Sequence, residues 1–167
     1  LAIDQDLAGS QIDLGVGRIE VAAGGIAEAD VLQAIVAGRN GGGWDGIDGI
    51  MSSAAGPDSN RAVGYRVLES GETIISWAAY GDVNLDGRVS SSDINLIINE
   101  GLYGTTQPAT WASGDFNYDG RVDVLDMTLL TGTGLFGTGS YLPTGPAPSA
   151  AGQSLTAAAV PEPGFGV

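Results

Sequence analysis

The chain has 167 residues and a mass of 16.8 kDa, room for one ordinary domain or two small ones, with 20 acidic residues against 6 basic and a formal charge of −14. All six cations are Arg, and Lys, His and Cys are absent. That excludes Schiff-base lysines, Cys/His and Ser/His nucleophilic pairs, thiolate or imidazole zinc sites and disulfides, and the charge argues against a nucleic-acid partner. What remains is oxygen chemistry, the hard ligands that suit calcium or magnesium.

No stretch of 18 apolar residues occurs, so no membrane-spanning helix is expected. The chain opens at Leu1 without a basic-plus-apolar leader, which fits a signal peptide already removed or never included. Residues 11–22 alternate apolar and polar side chains through Ile12, Leu14, Val16, Ile19 and Val21, the period of a half-buried strand or hairpin. Val31, Leu32, Ile35 and Val36 then recur at helical spacing, with Glu28 and Asp30 near the favourable end of the dipole, and predict a helix over 27–37. Gly38 and Gly41 to Gly43 are expected to stop it. Residues 62–68 and 73–79 are β-rich and flank Glu69, Ser70, Gly71 and Glu72, a hairpin signature.

The string GRNGGGWDG (residues 38–46) has the glycine density of a phosphate loop, yet it follows a helix and lacks the Lys that reaches phosphate. A turn needing positive φ explains it better. Trp44 beside Asp45 and Asp48 offers an aromatic platform and a carboxylate pair, the parts of a sugar hydrolase. A buried Trp anchoring a small core is the simpler assignment.

The strongest signal is an internal repeat. DVNLDGRVSSSD begins at Asp82 and DFNYDGRVDVLD at Asp115, 33 residues later. A twelve-residue oxygen loop takes side chains from positions 1, 3 and 5, a Gly at 6, a carbonyl at 7, a water-linked group at 9 and a closing carboxylate at 12. The first loop fills these slots with Asp82, Asn84, Asp86, Gly87, the Arg88 carbonyl, Ser90 and Asp93. The second does so with Asp115, Asn117, Asp119, Gly120, the Arg121 carbonyl, Asp123 and Asp126, one carboxylate more and hence the tighter expected site. Two Ca²⁺ ions are therefore expected. Val89 and Val122 are expected to pack between the loops, and helices to begin near Ser92 and Val124 with Ile94, Ile97, Ile98, Leu125, Leu129 and Leu130 facing inward.

GDVNLDGRVSSSDINLIINEGL and GDFNYDGRVDVLDMTLLTGTGL resemble the duplicated segments of dockerin domains, calcium-binding modules of bacterial extracellular proteins, over about residues 80–137. Asp at the closing position is normal in that family. The resemblance implies a loop plus one helix per repeat and docking of a helix face onto a cohesin domain. By analogy the contact positions are Ser91 and Ser92, then Val124 and Leu125, the last two departing from the hydroxyl-rich pairs of cellulosomal members.

Residues 138–167 are rich in Gly, Ser, Thr, Ala and Pro, a composition that cannot form its own core. Val160, Pro161, Glu162 and Pro163 resemble the VPEP element of PEP-CTERM sorting signals of exported bacterial proteins.

Together these features predict an α+β chain: a small β-rich N-terminal domain with one short helix (1–80), a dockerin-like double calcium-loop module (81–137) and an extended Gly/Ala/Pro-rich tail (138–167). The function expected is that of a non-catalytic, calcium-binding extracellular or cell-surface module. Its partners would be other copies of itself, in a filament or surface layer with terminal segments exchanged between neighbours, or a cohesin-like surface protein. A monomeric adaptor and the C-terminal part of a carbohydrate-active enzyme are the alternatives.

Overall fold

A computed structural model describes residues 10–143. The tail beyond residue 143, including its VPEP element, and the proposed exchange of that segment lie outside the described residues. The fold is mixed α+β. Strands β1 (Gln11–Asp13) and β2 (Arg18–Val21) precede helix α1 (Glu28–Arg39). Strands β3 (Gly49–Met51), β4 (Arg61–Val67) and β5 (Thr73–Ala79) follow, and α2 (Ser91–Glu100) and α3 (Val124–Gly132) complete the order.

β4 and β5 form the expected antiparallel hairpin, with Val63 opposite Trp77 and Tyr65 opposite Ile75, and β2 adds to the other side of β5. β1 instead pairs in parallel with β3. Residues 11–22 are thus not a hairpin: a turn at Gly15 (φ 53°) sends the two strands to different sheets. The Asp13 carboxylate stabilises that turn by accepting from the Gly15 and Ser53 amides, which hold it below the usual carboxylate range. Parallel pairing requires a crossover, and α1 supplies it.

α1 buries Val31, Ala34, Ile35 and Gly38. It runs two residues past the predicted end, to an Asn40 cap in the left-handed region (φ 43°). Gly38 does not stop the helix. It lies inside it, where any side chain would run into the Ile50 carbonyl of β3.

A single apolar core joins these elements to the following loops. Trp44, Tyr80, Trp111, Phe116 and Tyr118 form its aromatic centre, with Trp111 and Phe116 edge to face at 5.0 Å and Trp111 stacked on Tyr118 at 6.0 Å. Gly64, mid-strand in β4, leaves the space that Trp111 occupies. Trp44 is 1% exposed and packs edge-on to Tyr118, so it is a core anchor and no sugar platform. Among the described residues no helix is long and apolar enough to cross a membrane.

Candidate metal centre

The two acidic strings fold into loops that share one hydrogen-bond plan. In the first, Asp82 accepts from the amides of Asp86 (3.1 Å) and Gly87 (2.9 Å). Asn84 Oδ1 accepts from Asp86 N, and Asp86 from Arg88 N. In the second, Asp115 accepts from Asp119 N (3.2 Å) and Gly120 N (2.8 Å), Asn117 Oδ1 from Asp119 N, and Asp119 from Arg121 N. Short acidic and amide side chains capture nearby backbone amides readily, and that local chemistry curls each loop. Position six requires glycine in both, at φ 84° for Gly87 and 85° for Gly120. Position four is left-handed as well, at Leu85 (59°) and Tyr118 (60°).

Each loop runs into its helix through a capping box, Ser90 with Asp93 and Asp123 with Asp126. The closing carboxylates also reach back across their loops. Asp93 Oδ1 accepts from Val83 N and Asn84 N, and Asp126 Oδ1 from Phe116 N and Asn117 N. Positions 1 and 12 are thereby buried in both loops, whereas Asp86 and Asp119 face solvent and Asn84, Ser90, Asn117 and Asp123 are half-buried.

Val89 and Val122 are buried as expected, but their backbone partners are not each other. Val89 bridges to Phe136, which follows α3, and Val122 bridges to Tyr103, which follows α2. Gly137 N and Gly104 N donate to Val89 O and Val122 O, both at 2.9 Å. Each loop is therefore backed by the segment leaving the other loop's helix. Of the residues expected to face inward, Ile97 and Leu130 are buried and Ile94 and Leu129 partly so, while Ile98 (66% exposed) and Leu125 (57%) point to solvent. On helices of about three turns one stripe faces the core, and Ile98 and Leu125 sit one residue away from it or in the first turn.

Sequence spacing missed the contacts that tie the loops to the sheet. Trp111 Nε1 donates to the Asp82 carbonyl (2.9 Å), Arg66 to Asn84 O (3.1 Å), Arg18 to Leu85 O (3.3 Å), and the Tyr118 hydroxyl to Val63 O (2.5 Å). It also missed Tyr141, whose hydroxyl donates to Asp82 Oδ2 at 2.6 Å. These partners are distant in the chain and follow no periodic pattern. Glycine in the middle of a β-rich run, at Gly64, was the one available cue that something packs closely there.

The electrostatics favour a cation. Burial pushes the Asp82 carboxyl up to about 6, with Asp93 and Asp86 adding repulsion against the hydrogen bonds from Tyr141 and Gly87. Burial likewise raises Asp115 to about 6, with Asp126 and Asp119 repelling it, and raises Asp126. The two ion pairs among the described residues, Arg18 with Glu20 and Arg61 with Asp58, involve neither loop. Buried carboxylates grouped without cationic partners, beside amide and hydroxyl oxygens, form a donor set that fits a hard divalent ion. As they stand, no three acidic side chains among the described residues are gathered closely enough to hold a metal.

Residues 80–133 match the family model of the Dockerin type I domain. The match covers about a third of the chain. No curated protein and no solved structure matches the chain significantly. Dockerin domains bind calcium, are non-catalytic interaction modules and occur in extracellular or cell-surface proteins, and the matched segment contains both acidic loops, while the sheet that precedes it lies outside the match.

Proposed function

We propose that the dockerin segment holds two Ca²⁺ ions and, so loaded, attaches this chain to a cohesin-like protein outside the cell. The first ion would be held by Asp82, Asn84, Asp86, the Arg88 carbonyl, Asp93 and, through water, Ser90. The second would be held by Asp115, Asn117, Asp119, the Arg121 carbonyl, Asp126 and, through water, Asp123. The observation that carries this reading is the shared hydrogen-bond plan of two loops whose buried carboxylates have no cationic partner among the described residues. Calcium supplies the positive charge these carboxylates lack. The loops would stiffen on loading.

The docking face in this reading is the outer side of α2 and α3. Ser91, Ser92, Val124 and Leu125 are all exposed there, as the family analogy requires. An apolar depression of about 530 Å³ also lies among Ile94, Ile97, Ile98, Gly101, Tyr103 and Met127, drawn from α2, the segment after it and α3. Self-assembly into a filament or surface layer is the second reading. Its contacts were expected from the tail, and it has no comparable support from the loops.

Calorimetric titration of calcium into chelator-stripped protein tests the first claim: two equivalents bind, and one remains after D82N or after D115N. Binding to a panel of purified cohesin modules tests the second, with loss expected in chelator and on combined V124S and L125S substitution. Multimers that persist on dilution, together with no cohesin binding, would favour self-assembly.

A further inference from the structure

An equivalent backbone donor reaches position six of each loop, but the side chain that the donor carries differs. Ala109 N donates to the carbonyl of Gly120, position six of the second loop, at 3.1 Å. Tyr141 N donates to the carbonyl of Gly87, position six of the first, at 3.0 Å. Ala109 and Tyr141 thus occupy equivalent places against opposite loops. Ala109 ends in a methyl group, whereas Tyr141 extends its hydroxyl to Asp82 Oδ2 at 2.6 Å. The ring has little freedom: the Arg61 guanidinium lies over it at 4.8 Å, and Trp77 meets it edge-on at 5.9 Å. Leu142 then seals the turn, since a side chain at Gly87 would meet Leu142 Cγ at 2.6 Å, whereas the space around Gly120 is open.

Resting on the calcium reading above, we propose that Tyr141 is a positioning residue for the first ion site alone, fixing the Asp82 carboxylate so that calcium binds there more tightly and leaves more slowly. Asp82 Oδ2 is engaged by the hydroxyl and by Gly87 N, which leaves Oδ1, with a single amide donor, as the oxygen freer to turn to the ion. A hydrogen bond from outside the coordination shell sets the rotamer of a ligating carboxylate in advance, and loss of such a partner typically lowers metal affinity about 10–100-fold. Asp115 accepts only backbone amides among the described residues, so the second site has no equivalent support.

The test uses the full chain with Y141F, which deletes the hydroxyl and keeps the ring on Arg61 and Trp77. D115N isolates the first site and D82N the second. Calcium calorimetry and stopped-flow release into excess chelator are read for each combination. In the D115N background Y141F should weaken calcium about tenfold and speed its release; in the D82N background it should change neither. Unchanged first-site affinity, or equal weakening at both sites as a general packing defect would give, overturns the assignment. Tyr141 ring resonances, read in the D115N and D82N chains that keep the tyrosine, provide a second measurement. They should shift on calcium loading of the D115N chain and stay put in the D82N chain, and the reverse pattern overturns the assignment as well. No calcium uptake by the unsubstituted chain would instead refute the calcium reading itself.

Discussion

Gly64 is the point at which the β-sheet and the first acidic loop can be uncoupled by one methyl group. A Cβ at residue 64 would lie 2.6 Å from Trp111 Nε1 and 2.9 Å from its Cζ2, where ordinary contact is about 3.5–4.0 Å. The indole has nowhere to retreat, because it is fully buried, packs on Tyr80, Phe116 and Tyr118, and donates to the Asp82 carbonyl at 2.9 Å. G64A should therefore cost about 1–3 kcal/mol in overpacking. Displacement of the indole adds about 1 kcal/mol for its hydrogen bond. Replacing a strand glycine ordinarily returns about 0.5–1 kcal/mol, so the net expectation is a loss of about 2 kcal/mol. Urea denaturation in chelator reads that loss directly, and calcium calorimetry should show the first site weakened, because the displaced indole holds position one of its loop. If G64A is as stable as the unsubstituted chain or more so, the close packing of sheet on loop inferred here is wrong.

Acid should stabilise the chelated protein. The folded Asp82 and Asp115 carboxyls titrate near 6, against 3.8 for the ordinary group, so between those values the folded chain holds protons that the unfolded chain has released. Stability then falls as pH rises through this window, by roughly 2–3 kcal/mol for Asp82. A melting temperature higher at pH 5 than at pH 7.5 in chelator checks the sign, and calcium affinity should change the other way because protons compete for the same oxygens. D93A strands the buried amide of Val83 and loosens the half-buried amides of Asn84 and Ser90, and should cost about 1–3 kcal/mol even without calcium; chemical denaturation in chelator measures it. V124S with L125S, at exposed positions, should alter stability by less than about 0.5 kcal/mol while abolishing cohesin binding. Calcium at 100 times its dissociation constant should raise unfolding free energy by about 2.7 kcal/mol per site, and a chelator-insensitive denaturation curve would count against both sites.

The loops were legible because their information is local. A carboxylate that bonds an amide four or five residues on, a glycine at position six and a capping box all act within twelve residues, so spacing alone located them and repetition 33 residues later removed coincidence. The β4–β5 hairpin and α1 were legible for the same reason, since apolar period and turn composition are properties of short windows. Strand partners, by contrast, are chosen by tertiary packing. Nothing in residues 11–22 says that β1 will cross by way of α1 to a parallel neighbour while β2 joins β5.

Residues that arrive from far along the chain could not be placed by pattern. Trp111, Arg18, Arg66 and Tyr141 reach the first loop across 18 to 67 positions, and each is recognised only by what it touches. Composition and local spacing were enough to establish an α+β chain with two acidic oxygen loops and no thiol, imidazole or lysine chemistry. The folded core decided that the loops are braced by the sheet, that each is backed by the other's exit segment, and that among the described residues only the first carries a phenolic hydroxyl on its position-one carboxylate. Hydrogen bonds between near neighbours are written into the order of residues, whereas burial and long-range contact exist only after the chain has closed on itself.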